Sequence, residues 1–127
     1  KSMIRDLSLD YPDFLIASSE WFAFIPAKEY FDEPGDHADE LETSVMMHYH
    51  PELVNLDEAG DGNYKKFASQ MLNEKVAWIP RNWQNVSQDT GIGNPKKASA
   101  GKGKKYAEAV VAKYALLFEE LVHKELY

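Results

Sequence analysis

Apolar positions recur at helical spacing in three stretches of the chain and run together in a fourth. Near the start, Met3, Ile4 and Leu7 share one side of a helical turn, which predicts a helix already under way in the first residues. Residues 14–17, Phe-Leu-Ile-Ala, form a short apolar run bounded by polar residues and read as a buried strand. Within "PGDHADELETSVMMHYHPELV", Ala38, Leu41, Val45, Met46 and Tyr49 fall on one side of a helix wound at about 100° per residue. Pro51 disfavours helical geometry at the residue before it, so this helix should stop near His50. The clearest pattern, Ala107, Val110, Val111, Tyr114, Leu117, Phe118 and Leu121, makes a broad stripe on a terminal helix expected over residues 99–126.

The connecting segments are less regular. The loop over residues 18–35 carries Glu20, Trp21, Phe22, Phe24 and Tyr30, whose plain reading is packing. A polar loop with Gly60 and Gly62 precedes "KFASQMLNE", which reads as a short helix or irregular chain. "VAWIP" and "WQNVSQ" each read as extended, as a hairpin or as sheet-edge strands. Asn94 and Pro95 mark a helix start, Asn94 as cap and Pro95 in the first turn. "GIGNP" reads as a turn before it reads as a phosphate cradle. The order helix, buried strand, loop is what an α/β fold with a parallel sheet gives, and ligands of such folds sit in the loops leaving the strands.

Length and charge narrow the picture. The 127 residues make one domain or part of a larger one. A net charge of −7 argues against general binding to nucleic acid or to an anionic membrane surface. Lysines 96, 97, 102, 104 and 105 cluster near the start of the terminal helix, where they read as a solvated face. The absence of cysteine excludes disulfides and thiolate-bound metals and agrees with a cytoplasmic location. There is no apolar run of membrane-spanning length and no signal peptide in the sequence. Because the chain opens at Lys1 in what reads as mid-helix, without a cap, it is expected to be the downstream part of something longer.

One carboxylate breaks the helical pattern. Glu42 falls in the middle of the apolar side, between Val45 and Met46 in angle. An ionised carboxylate in apolar surroundings must be paired, hydrogen-bonded, protonated, or not buried after all. His37, in the turn leading into the helix, is the candidate neighbour, able to fold back towards it. Asp36, Asp39 and Glu40 are explained as acids that cap a helix start and complement its dipole. His48 and His50, two residues apart, point in different directions and read as surface residues.

These residues also carry a resemblance. "DHADELETSVMMHYHPELV" resembles the signature of the creatininase family, approximately His-Ala/Gly-Gly-x-x-Glu-Thr-Ser, an apolar helix, then Pro-x-Leu-Val. The matching residues are His37, Ala38, Glu42, Thr43, Ser44, Pro51, Leu53 and Val54, with Asp39 in place of the second glycine. Downstream, "GIGNPKKASAGKG" is similar to the family's Gly-x-x-Gly-Asp/Asn-Pro segment with its following Ala-Ser/Thr and Gly. The resemblance implies part of an α/β/α sandwich around a mostly parallel sheet, residues 1–127 forming the C-terminal half of one catalytic domain. It also implies a homo-oligomer acting on a small-molecule amide, cyclic or linear but not a peptide. The implied cofactors are two divalent metal ions per complete chain, zinc, manganese or iron, holding a hydroxide that attacks the amide carbonyl.

By the same resemblance, His37 matches a proton-shuttling histidine and Glu42 a glutamate beside the metal centre, as ligand or as acceptor to one. Trp21 matches a substrate-closing tryptophan, and Asp36 an acid that contacts substrate. The Trp-Asp-x-Glu-His run of the family's creatinine-hydrolysing member is "EPGDH" here, which turns the expectation away from creatinine. The upstream Glu-x-His, Asp and His-Gly-Gly-Asn motifs, which carry most metal ligands, have no counterpart, so a missing N-terminal half is an expected partner. The alternative is a non-catalytic relative of the family, acting as a binding or assembly module through its lysines and aromatic loop.

Overall fold

The structure, a computed structural model, describes residues 2–125. Helix α1, Ser2–Asp10, is followed by a long irregular segment and a 3₁₀ turn at Ala27–Glu29. Helix α2 is Glu40–Tyr49, and two further 3₁₀ turns follow at Pro51–Leu53 and Leu56–Glu58. Two single-turn helices come next, α3 at Gln70–Asn73 and α4 at Trp83–Val86. A 3₁₀ turn at Pro95–Lys97 then leads into α5, Ala100–His123, which dominates the molecule.

The expected parallel sheet is absent among the described residues, whose only bridge is an isolated antiparallel one between His37 and Ile92. A parallel strand is stable only when neighbours take its N–H and C=O groups on either side. Residues 14–17 have no such neighbour among the described residues, and Phe14 stays 69% exposed rather than buried. "VAWIP" is irregular, and "WQNV" closes a helical turn instead of extending, with Asn85 N–H donating to the Asn82 carbonyl. The described residues are therefore helix and loop and do not form an α/β sandwich.

The local start and stop signals act as their chemistry demands. Ser99 caps α5 by accepting from the Lys102 N–H, and Asn94 caps the Pro95 turn by accepting from the Lys96 N–H. Helix α2 ends at Tyr49, before His50 and Pro51. Helix α5 ends at His123, and the expected last residue, Leu126, lies outside the described residues, as does Lys1.

The core lies where α2 crosses α5. Tyr106 is fully buried at its centre, among Ile25, Phe31, Leu41 and Val110, with its hydroxyl within reach of the Phe22 and Ile25 carbonyls. The two helices approach closely because residue 103 is glycine: a Cβ there would lie 1.9 Å from the Ser44 carbonyl oxygen. Beside that contact, the buried Ser44 hydroxyl accepts from the Ser99 N–H at 3.1 Å, tying the middle of α2 to the start of α5. Beyond Tyr114 the stripe on α5 emerges from the core, leaving Leu117 and Phe118 exposed. No helix among the described residues is long and apolar enough to cross a membrane.

Candidate functional site

The loop before α2 is pinned from both sides. The Ile92 carbonyl accepts from the Asp36 and His37 N–H groups, and the Ile92 N–H donates to the His37 carbonyl at 2.8 Å. This close pairing needs glycine at two points: a Cβ on Gly35 would meet the Ile92 oxygen at 2.4 Å, and Gly93 holds φ at +120°. On the helix side, Asp39 caps α2 by accepting from the Glu42 N–H, while its other oxygen accepts from Gly35. Glu42 reaches back and accepts from the Ala38 N–H at 2.7 Å. The arrangement is a capping box moved by one residue, since the returning glutamate bonds the position before the cap. Ala38 takes a left-handed φ of 49° to allow it.

Pinned this way, the loop presents His37 towards Glu42. Nδ1 lies 3.7 Å from Oε2, ion-pair reach rather than a hydrogen bond, with the two side chains 46% and 38% exposed. The imidazole packs against the Trp83 ring, centroids 5.1 Å apart. Arg81 lies over the other part of this group, its guanidinium 5.4 Å from the Trp83 centroid and ion-paired with Asp36. The structure thus joins Asp36, His37 and Glu42, and adds Arg81 and Trp83, which sequence reasoning missed. Arg81 pairs with Asp36 across 45 positions of sequence, and no spacing signals such a contact.

Glu42 answers the question its position raised: it is half-exposed and hydrogen-bonded, not a bare charge in the core. The buried acid of α2 is Glu40, with no exposed surface, which was expected merely to cap the helix. The reason is the crossing: α5 covers the Glu40, Leu41 and Ser44 side of α2 and leaves Met46 and Tyr49 exposed. Glu40 accepts from Lys102 Nζ at 2.5 Å and from the Glu33 N–H at 2.6 Å. Lys102 also bridges to Asp32 at 2.8 Å, and Lys97 holds Glu33 at 2.6 Å. The hydrogen bonds that Lys102 donates to Asp32 and Glu40 raise its pKa, and the lysines in turn depress Asp32 and Glu33. Two of the five lysines read as a solvated face are thus clamps on the loop that leads to His37.

Trp21 is partly buried against Tyr106, centroids 6.2 Å apart, as one wall of the core. It does not line the cavity of about 420 Å³ that opens beside Glu42 and Thr43. Glu58 and Asp89 line that cavity too. Yet among the described residues no three histidine, aspartate or glutamate side chains converge as metal ligands. The donor set here, one imidazole and one carboxylate already engaged by an N–H, does not by itself fit a metal.

The chain matches the creatininase family, described as creatinine amidohydrolase, over residues 1–118. No curated protein matches it. The crystal structure of a Bacteroides fragilis NCTC 9343 protein, provisionally named a creatinine amidohydrolase, is similar at 59% identity and a TM-score of 0.93. That similarity covers 100% of this chain and 51% of the Bacteroides one, so the chain spans about half the length of its structural relative.

Proposed function

The chain belongs to the creatininase family, and from that premise we propose that it forms part of an amidohydrolase in which His37 moves the proton. Hydrolysis of an amide requires a proton to be taken from the attacking water and then delivered to the leaving nitrogen. His37 suits both tasks, because its ring is exposed on one side and held on the other by Trp83. Its Nδ1 faces the Glu42 carboxylate, leaving Nε2 for the reacting groups. Glu42 faces the ring during the transfer, in the place the partner carboxylate of a proton-shuttling histidine takes.

The substrate class proposed is a small cyclic or linear amide, not a peptide, with creatinine disfavoured by the "EPGDH" segment. Asp36 is held by Arg81 at the edge of the site, where together they can orient a polar substrate. Trp21 touches substrate in this proposal only if its loop leaves Tyr106, since it is packed there now. Divalent zinc, manganese or iron belongs to the proposal for the complete protein, with ligands from beyond these residues. An N-terminal half of the family's fold and assembly into a homo-oligomer belong to the same proposal.

The observation that carries this reading is the His37–Glu42 pair, fixed by the Ile92 bridge and the Ala38 N–H inside the family's own motif. The test is turnover of the complete protein on a panel of creatinine, N-formyl compounds and linear amides. His37→Ala should lower turnover by a factor of about 10²–10⁴ with an unchanged circular dichroism spectrum. Wild-type turnover in that variant would overturn the assignment.

A further inference from the structure

A second cavity, of about 500 Å³, has Ile92 of the His37–Ile92 bridge and the neighbouring Asp36 in its lining. Its lining includes four cations, Lys65, Lys66, Lys75 and Arg81, against one carboxylate, Asp36. Asp36 is already neutralised by Arg81, so the cavity keeps the positive charge of the three lysines. None of these three is paired with a carboxylate among the described residues, in a chain whose net charge is −7. A local concentration of cations against an opposite overall charge focuses anions into the cavity.

The walls are held rather than loose. Asn73 exchanges two hydrogen bonds with the Phe67 backbone, as a paired strand would, and the Lys65 N–H donates to the Val86 carbonyl. Lys75 stands just past α3 with φ at +61°, its N–H on the Leu72 carbonyl and the Val76 N–H on the Met71 carbonyl. This is the six-to-one and five-to-two pattern that closes a helix, at the position glycine usually fills. A lysine there is strained, and Lys75 is one of the residues that line the cavity.

We infer that this cavity binds an anionic group, carboxylate or phosphate, carried by the substrate whose amide lies at His37. Ile92 lines the cavity and pairs with His37, and Asp36 lines it one residue away, so an anchored anion sits next to the proposed proton-transfer group. The inference rests on the amidohydrolase reading for the amide, but the anion site itself can be tested without turnover.

The experiment titrates the complete protein with inorganic phosphate and, separately, with succinate, followed by amide shifts in nuclear magnetic resonance. Shifts confined to residues around 65–66 and 75–81 are expected with at least one probe. Lys75→Gly, which keeps the left-handed turn, and Lys65→Ala combined with Lys66→Ala should each weaken that probe by roughly tenfold. Lys113→Ala, on an exposed part of α5, should leave it unchanged. Binding of phosphate alone assigns a phosphorylated amide; binding of succinate alone assigns a carboxylated one. Absence of localised shifts with both probes, or equal weakening by Lys113→Ala, overturns the inference. His37→Ala should bind the probe as the wild type does, so loss of amide hydrolysis and loss of anion binding remain separate results.

Discussion

The same substitution, made at two glycines of α5, should have opposite effects. Gly101 has nothing within 4 Å of an added Cβ, whereas at Gly103 that atom would lie 1.9 Å from the Ser44 oxygen and 2.3 Å from its carbon. Inside a helix, glycine to alanine is worth up to about 1 kcal/mol of stabilisation through backbone entropy. Gly101→Ala should gain about half of that, since it sits in the first turn. At Gly103 the gain must be set against a backbone overlap about 1.5 Å short of ordinary contact. Neither partner is a flexible side-chain tip, so α2 and α5 must separate, loosening the packing of Leu41 and Tyr106 and the Ser44–Ser99 bond. Overpacking of this kind costs about 1–3 kcal/mol, and an overlap with backbone belongs at the upper end, so Gly103→Ala should be destabilised by about 2 kcal/mol after the helix gain. Urea denaturation followed by far-ultraviolet circular dichroism measures both. If both variants shift in the same direction, the close crossing of α2 on α5 is wrong, and with it the placement of Glu40 and Glu42.

Ser44→Ala leaves the Ser99 N–H without its acceptor and should lower stability by about 1–2 kcal/mol in the same assay. The loop clamps predict a pH dependence. Asp32 and Glu33 are held by their lysines below the ordinary values of 3.8 and 4.5. A folded pKa below the unfolded one stabilises fully above the unfolded value, so this contribution is complete above about pH 4.5 and disappears as pH falls through the lowered values. Midpoints measured across acid pH should therefore fall less steeply in an Asp32→Asn, Glu33→Gln double variant than in the wild type. Lys97 and Lys102 are raised above 10.5, so their contribution is complete below that pH and is lost only in stronger alkali.

The sequence is most legible where chemistry acts over one turn. Ser99, Asn94 and Pro51 set the ends of their elements through local hydrogen bonds and sterics, and each is found where its type requires. Legibility ends where a partner is needed. Residues 14–17 have the composition of a strand, but a strand is a property of two segments, and no second one lies beside this one among the described residues. Glu40 and Glu42 are both acids at a helix start, and only the line along which α5 crosses α2 decides which is buried. His37 and Glu42 lie within ion-pair reach, as expected of a histidine in the lead-in turn that folds back towards the helix, because that approach spans only one turn. Trp83 and Arg81 were not legible in this way, since they arrive beside His37 through the Ile92 bridge and a long loop.

The central claim is that His37 and Glu42 act as one unit, and a double-mutant cycle on kcat/KM of the complete protein tests it most directly. His37→Ala, Glu42→Gln and the double variant are compared on whichever amide the panel identifies. The Gln amide oxygen can still accept from the Ala38 N–H, so the single change removes the charge facing the imidazole while keeping the cap. The account predicts strong non-additivity, with the double variant no slower than His37→Ala alone within a factor of about two. Losses that multiply, each variant contributing its full factor, would show two independent groups and contradict it.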